Sequence, residues 1–200
     1  MTSPPSTLPE QSPFSAFSKT LQEQLGKQGF NLNEQTQPEM TPQTEQRIAD
    51  AQALFQSKVT LDIIKRSWSP TGVFEDPIAY TKGFRQYAAQ WWGMKVFNKS
   101  ETLAWRLVSS SPTEILYAQK HIYAKFGMEK VMHSTVWMKL DDTGRIAHFQ
   151  DRWDGKDMPG WWAWGFRRLN ALTLPLFMSV PSKVHPDMAE GNGPKGRSEL

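Results

Sequence analysis

Two aspartates and one histidine define the acid–base chemistry open to this chain. Asp76 lies in the run Val73-Phe74-Glu75-Asp76-Pro77. A residue before proline is pushed out of the helical region, so Asp76 is expected in extended backbone with a fixed side-chain direction. Phe74, Ile78 and Trp91 are near enough in sequence to wall it from water. A carboxylate so walled acquires a raised pKa and becomes useful as a general base. Asp151 and His121 lie in strand-like segments and are the other two candidate acid–base groups. Each has a structural alternative: a turn cap for Asp76, an ion pair with a cation such as Lys120 for Asp151, and a hydrogen-bonded framework role for His121.

Strand parity decides which of these side chains can meet. Asp141-Asp142-Thr143-Gly144 reads as a hairpin turn. Pairing Asp141 with Gly144 sets Val136 opposite Phe149, Ser134 opposite Asp151 and Met132 opposite Trp153. That face is mostly apolar with one carboxylate, as a pocket wall would be. The opposite face pairs Trp137 with His148 and His133 with Arg152, which suits a dimer contact or solvent. His133 and His148 thus fall outside, and no metal site is expected. A two-residue turn at Gly127-Met128 pairs Tyr123 with Met132 and turns Tyr117, Gln119, His121 and Tyr123 inward beside Asp151. A one-residue slip would expel all four. Trp68, Trp91, Tyr123, Phe149 and Trp153 are candidate substrate contacts, with core packing as the alternative for the tryptophans.

The elements that must position these groups follow from periodicity. Residues 1–41 are rich in Pro, Ser, Thr and Gln and are read as a disordered arm, with a short docking helix around Phe14 to Leu25 as the alternative. Thr41-Pro42 reads as an N-cap with proline at the first helical position. Ile48, Ala51, Leu54, Phe55 and Val59 follow at helical spacing, and a second helical piece runs through Leu61, Ile64 and Trp68. Ser69-Pro70-Thr71-Gly72 stops it. Gly83 introduces another helix whose Tyr87, Ala88, Trp91 and Trp92 form an aromatic face. Segments at about 101–109, 114–126, 130–140 and 145–154 are strand-like. Helices followed by antiparallel strands indicate an α+β fold with helices on one side of a curved sheet. The domain is placed at 42–158, a Trp-rich helical extension at 159–182 broken by Pro175, and a flexible tail at 183–200.

Composition narrows the function classes. The 200 residues suit one domain with tails, and hydrophobic content is 38%. A formal charge of +3, with no run of Lys and Arg interleaved with aromatics, argues against nucleic acid. The chain has no cysteine, which excludes disulfides, thiolate metal sites and a cysteine nucleophile. With no leader pattern and no long apolar run, an intracellular, cytoplasmic protein without a transmembrane segment is expected. Ser198-Glu199-Leu200 departs from a peroxisomal tripeptide at Glu199, where a basic residue belongs.

Two stretches resemble the nuclear transport factor 2-like superfamily, in its SnoaL-like polyketide cyclase and ketosteroid isomerase branch. One is Val73-Phe74-Glu75-Asp76-Pro77 with Gly83 and the Tyr87-Ala88-Ala89 helix. The other is Gly144-Arg145-Ile146-Ala147-His148-Phe149-Gln150-Asp151-Arg152-Trp153. The resemblance covers roughly 44–156. It implies a cone-shaped half-barrel of curved antiparallel sheet, N-terminal helices over its concave face, an apolar pocket, and a homodimer through the outer sheet face. It also implies that Asp76 is the proton-shuttling base. The Tyr and protonated Asp that form the isomerases' oxyanion hole have no counterpart here; the corresponding positions fall near Gln52 to Phe55 and at Val136. The resulting expectation is cofactor-free isomerisation, cyclisation or dehydration of a hydrophobic oxygenated metabolite by Asp76, Asp151 and His121. The alternative is a non-catalytic ligand-binding or scaffold protein of the same fold.

Overall fold

A computed structural model describes residues 8–33, 38–178 and 180–181. Helix α1 spans Lys19–Lys27, α2 Pro42–Phe55 and α3 Leu61–Ser67; strands β1 and β2 span Trp68–Asp76 and Ala79–Lys82. Then come α4 (Phe84–Gly93), β3 (Lys99–Ser110), β4 (Glu114–Lys125), β5 (Met128–Leu140), β6 (Ile146–Trp153) and α5 (Trp161–Phe177). The strands form one unclosed six-stranded sheet in the order β2-β1-β6-β5-β4-β3. All neighbours are antiparallel except β1 and β6, which run parallel. Pairing irregularities in β3, between Thr102 and Ala104 and between Leu107 and Ser109, are the bulges that let long strands bend into a cone.

Local chemistry starts the helices where the sequence indicates. Thr41 Oγ1 accepts the Thr44 N–H, with Pro42 opening α2, and Thr60 caps α3 by accepting the Ile63 N–H. Arg47 Nε donates to the Gly144 carbonyl at 2.8 Å, fixing α2 over the β5–β6 turn. Gly83 begins α4 at φ 79°, a left-handed value that glycine adopts without penalty. Helices α2, α3 and α4 bury Ile48, Leu54, Phe55, Ile64, Tyr87 and Trp91 against the concave face, where Phe74, Leu107, Tyr117, Val136 and Phe149 wait.

Three expectations are corrected. The helical piece read through Trp68 ends at Ser67, and Trp68 already opens β1, which continues through Pro70 and Gly72. A Cβ at Gly72 would meet the Ser69 and Ile146 carbonyl oxygens at 3.0 and 3.1 Å, so this irregular stretch needs glycine. Residues 8–33 are ordered, in line with the docking-helix alternative rather than the disordered arm. Leu107 N–H and Trp105 Nε1 donate to Gln11 Oε1 and the Pro9 carbonyl along the β3 edge. Phe14, Phe17, Leu21 and Leu25 then bury against Ala104, Leu116 and Ala118 on the convex face. Four apolar residues suffice because the sheet supplies the other half of the core. Pro175 lies inside the last turn of α5, which ends two residues later. The tail expected over 183–200 lies outside the described residues.

Candidate functional site

Both hairpins differ in register from the sequence reading by two residues, so face membership survives. The β5–β6 turn is wider than a two-residue turn: Asp141 N–H donates to the Arg145 carbonyl, and Asp141 Oδ1 accepts from the Thr143 and Arg145 N–H groups. Val136 therefore faces Asp151, Ser134 faces Trp153 and Met138 faces Phe149. The β4–β5 turn is centred on Phe126-Gly127, both at positive φ, which pairs His121 with Met132 and Gln119 with Ser134. An even shift keeps every side chain on its face. Tyr117, Gln119, His121, Tyr123 and Asp151 thus all point to the concave side.

The parallel register of β1 and β6 brings the two aspartates together. Phe74 faces Phe149 and Glu75 faces Gln150. One further step sets Asp76 beside Asp151 on the same face. Their charges oppose each other, and burial adds to this. Burial pushes Asp151 up to about 7, against hydrogen bonds from Ser134 and Trp153, with the Asp76 charge pushing the same way. Burial raises Asp76 to about 6, opposed by the Ile78 and Ala79 N–H groups and by Arg167, and aided by Glu75. Near neutrality Asp151 is thus the more readily protonated of the two.

Asp76 does close the turn: its Oδ1 accepts the Ile78 and Ala79 N–H groups at 2.8 and 2.6 Å. Phe74 and Trp91 are buried and pack on each other, whereas Ile78 is 45% exposed and does not wall Asp76. Asp151 Oδ2 accepts the Trp153 Nε1–H at 3.1 Å, while its buried Oδ1 has no partner among the described residues. Trp153 thereby serves as a hydrogen-bond donor to the carboxyl. Tyr123 is held protonated by burial and by the Asp151 and Asp76 charges. Tyr117 is likewise raised, by burial and by Asp151 and Tyr123, and its buried hydroxyl is unpartnered among the described residues.

His121 meets this group through Tyr123. Its Nε2 and Nδ1 lie 3.0 and 3.2 Å from the hydroxyls of Ser100 and Thr102, and its ring packs on Phe55 and Tyr123. Burial lowers its pKa to about 4, so it is neutral with both nitrogens engaged. Trp68, Trp91 and Phe149 are essentially inaccessible and pack on one another and on Phe74 at ring separations of 5.0–5.9 Å, forming an aromatic floor. Asp151, buried, and the half-buried Asp76, Tyr123 and Trp153 lie farther along their strands.

Four further polar groups lie with these residues or on the helix above them. Tyr117, Gln119 and Ser134 follow from the parity already worked out; Gln119 Nε2 lies 3.4 Å from Ser134 Oγ. Gln52, on α2, has a buried amide nitrogen unpartnered among the described residues. On the convex side, Glu75 accepts from Arg167 at 2.7 Å and Gln150 at 2.5 Å and lies 2.8 Å from His148. Arg167 Nε also donates to the Asp76 carbonyl at 2.9 Å, so α5 fixes the backbone that aims Asp76. Among the described residues there is no cluster of three or more His, Cys, Asp or Glu that could hold a metal ion, and no helix is long and apolar enough to cross a membrane.

No protein-family model matches the sequence, and no curated protein matches it either. Solved structures do match in shape. A nuclear transport factor 2-like protein from Anabaena variabilis, 10% identical, aligns over 60% of this chain and 95% of its own with a TM-score of 0.51. A Shewanella putrefaciens protein named for the SnoaL-like polyketide cyclases is 11% identical over 58% of this chain and 82% of its own, TM-score 0.49. An LEH-like epoxide hydrolase from M. tuberculosis is 18% identical over 68% and 98%, TM-score 0.46. Six strands bent into an open cone, helices on the concave side and the Anabaena match agree: this chain has the nuclear transport factor 2-like fold.

Proposed function

We propose that the chain is a SnoaL-like enzyme of small-molecule metabolism that moves a proton on a hydrophobic, oxygenated substrate without a cofactor. The observation that carries this reading is the pairing of Asp76 with Asp151, both raised by burial and Asp151 further by the Asp76 charge, above an aromatic floor. A carboxyl near pH 7 is matched to general acid–base work at neutral pH. Asp76, the lower of the two values, is the ionised member that would take a proton from carbon alpha to a carbonyl. The protonated phenols of Tyr117 and Tyr123 are donors suited to the developing enolate oxygen. Asp151, which holds its proton to about pH 7, would return one to the product carbon or oxygen, and the proton taken by Asp76 restores the pair. His121 in this reading packs and orients Tyr123 rather than exchanging protons, because both its nitrogens are occupied. The ligand would rest against Trp153, Tyr123 and the rim of the floor made by Trp68, Trp91 and Phe149.

The test is deuterium incorporation. A panel of hydrophobic ketones is incubated with the protein in D2O, and exchange alpha to the carbonyl is followed by NMR. Asp76→Asn should slow exchange by about 100-fold or more, and Asp151→Asn by less. Exchange unchanged in both variants would remove the pair from the chemistry.

One observation favours a second reading, a ligand-binding protein without turnover. The aromatic floor is closely packed, leaving its rings little freedom to re-form around a large substrate. That reading expects a co-purifying apolar ligand in native mass spectrometry, no exchange with any ketone, and a subunit number that the same spectrum reports.

A further inference from the structure

Helix α5 is amphipathic in the reverse sense. Its inward stripe is Ala163, Arg167, Ala171 and Pro175, all buried. Its outward face is Trp161, Trp162, Phe166, Leu169, Leu172, Leu176 and Phe177, between 51% and 91% exposed, with Trp164 beside them at 57%. The inward stripe is not idle: Arg167 grips Glu75, and Arg168 Nη1 donates to the Tyr80 carbonyl at 2.9 Å and to Gln86 Oε1 at 2.7 Å. The helix is therefore clamped to β2 and α4 through polar contacts with its apolar side out. Five aromatic and three leucine side chains at such exposure present on the order of 1,000 Å² of apolar surface, where a monomer's largest patch is roughly 300–600 Å².

The charge around this face selects its occupant. Strand β2, helix α4 and the turn after it carry Lys82, Arg85 and Lys95, all exposed; neither these segments nor α5 contains Asp or Glu. The acidic Asp157 before α5 is offset by its neighbour Lys156. A two-fold contact between copies would set this basic rim against itself with no carboxylate to receive it. A bilayer surface with anionic headgroups complements both features at once. Tryptophans sit at the headgroup boundary, leucines reach the acyl chains, and Lys and Arg meet phosphate. At 17 residues, α5 suits lying in the interface plane rather than crossing.

We propose that the α5 face, with the basic rim of β2 and α4, docks the protein on the surface of an anionic lipid bilayer. This inference is independent of any chemistry at Asp76 and Asp151.

The full-length protein is sedimented with phosphatidylcholine vesicles with and without phosphatidylglycerol, alongside sedimentation equilibrium without lipid. The proposal predicts binding at least about tenfold stronger to the phosphatidylglycerol vesicles, weakened by salt. Leu169→Glu with Leu172→Glu should abolish binding while leaving far-UV circular dichroism and Tm unchanged, since both side chains are exposed. Lys82→Glu with Arg85→Glu should remove the preference for phosphatidylglycerol. Absence of binding to either vesicle overturns the proposal. So does equal binding by the Leu169/Leu172 variant, or a dimer that this variant dissociates while vesicles bind neither protein.

Discussion

Glu75 and Asp76 are consecutive in β1, and the pleat sends them to opposite faces of the sheet. Both are carboxyls in low-polarity surroundings, yet they end up on opposite sides of the ordinary carboxylate value. Burial pushes Glu75 up, but His148, Gln150 and Arg167 hydrogen-bond its oxygens and hold it at about 2. Burial pushes Asp76 up and two backbone N–H groups fail to pull it back, leaving it at about 6 beside Asp151. Partners, not burial, separate a structural carboxylate from a reactive one. The convex face spends its polar groups on fixing the loop, whereas the concave face leaves the Tyr117 hydroxyl and Asp151 Oδ1 without a partner among the described residues.

Substitutions can break this contrast, beginning with the strongest. Trp68→Ala should remove about 3–5 kcal/mol of stability in chemical denaturation, because the ring is wholly enclosed between Tyr87 and Phe149. Glu75→Gln strands the buried Arg167 and should cost on the order of 3 kcal/mol near neutrality. Since Glu75 is depressed in the folded state, its contribution is complete above about pH 4.5 and is lost as pH falls toward about 2. The wild-type stability should fall over that window, and the variant's should fall less.

Asp151→Asn should act in the opposite direction. The native Asp151 keeps its proton to about pH 7, while the unfolded chain releases it near 3.8. Stability from this group is therefore full below about pH 4, declines up to about pH 7 and stays low above. The variant should be stabilised at pH 8 by about 2 kcal/mol, a Tm rise of roughly 4–8 °C, and be unchanged at pH 3. The smallest effect belongs to the convex face: Ser18 caps α1 through the Leu21 N–H and donates to Asp154, and Ser18→Ala should cost about 1 kcal/mol. Amide exchange in α1 should report it.

How much of this was legible in the sequence depends on the range of the interaction. Caps at Thr41 and Gly83 and the period-two strands are local signals, and they located α2, α4 and β3 to β6. Parity placed Asp151, Tyr117 and Tyr123 on one face even though both turns were misread by two residues, because only an odd error would flip them. The start of β1 was hidden because Leu61, Ile64 and Trp68 keep helical spacing after the helix has ended. The docking of α1 needed the sheet as its other half. His121 is bound by Ser100 and Thr102 on a neighbouring strand, and Glu75 by Arg167 from 92 residues away; no spacing rule reaches such pairs. Asp76 was recognisable as a fixed carboxyl, but its partnership with Asp151 depends on β1 lying parallel to β6, which the hairpin pattern does not reveal.

The most direct measurement is a carbon-13 NMR titration of the Glu75, Asp76 and Asp151 side-chain carboxyls in the folded protein. Asp76 and Asp151 should titrate together with apparent values near 6 and 7, and Asp76→Asn should lower the Asp151 value, while Glu75 remains ionised down to about pH 2. Independent titration of both aspartates near 4, with Asp151 unmoved by Asp76→Asn, would contradict the coupled pair on which the proposed chemistry rests.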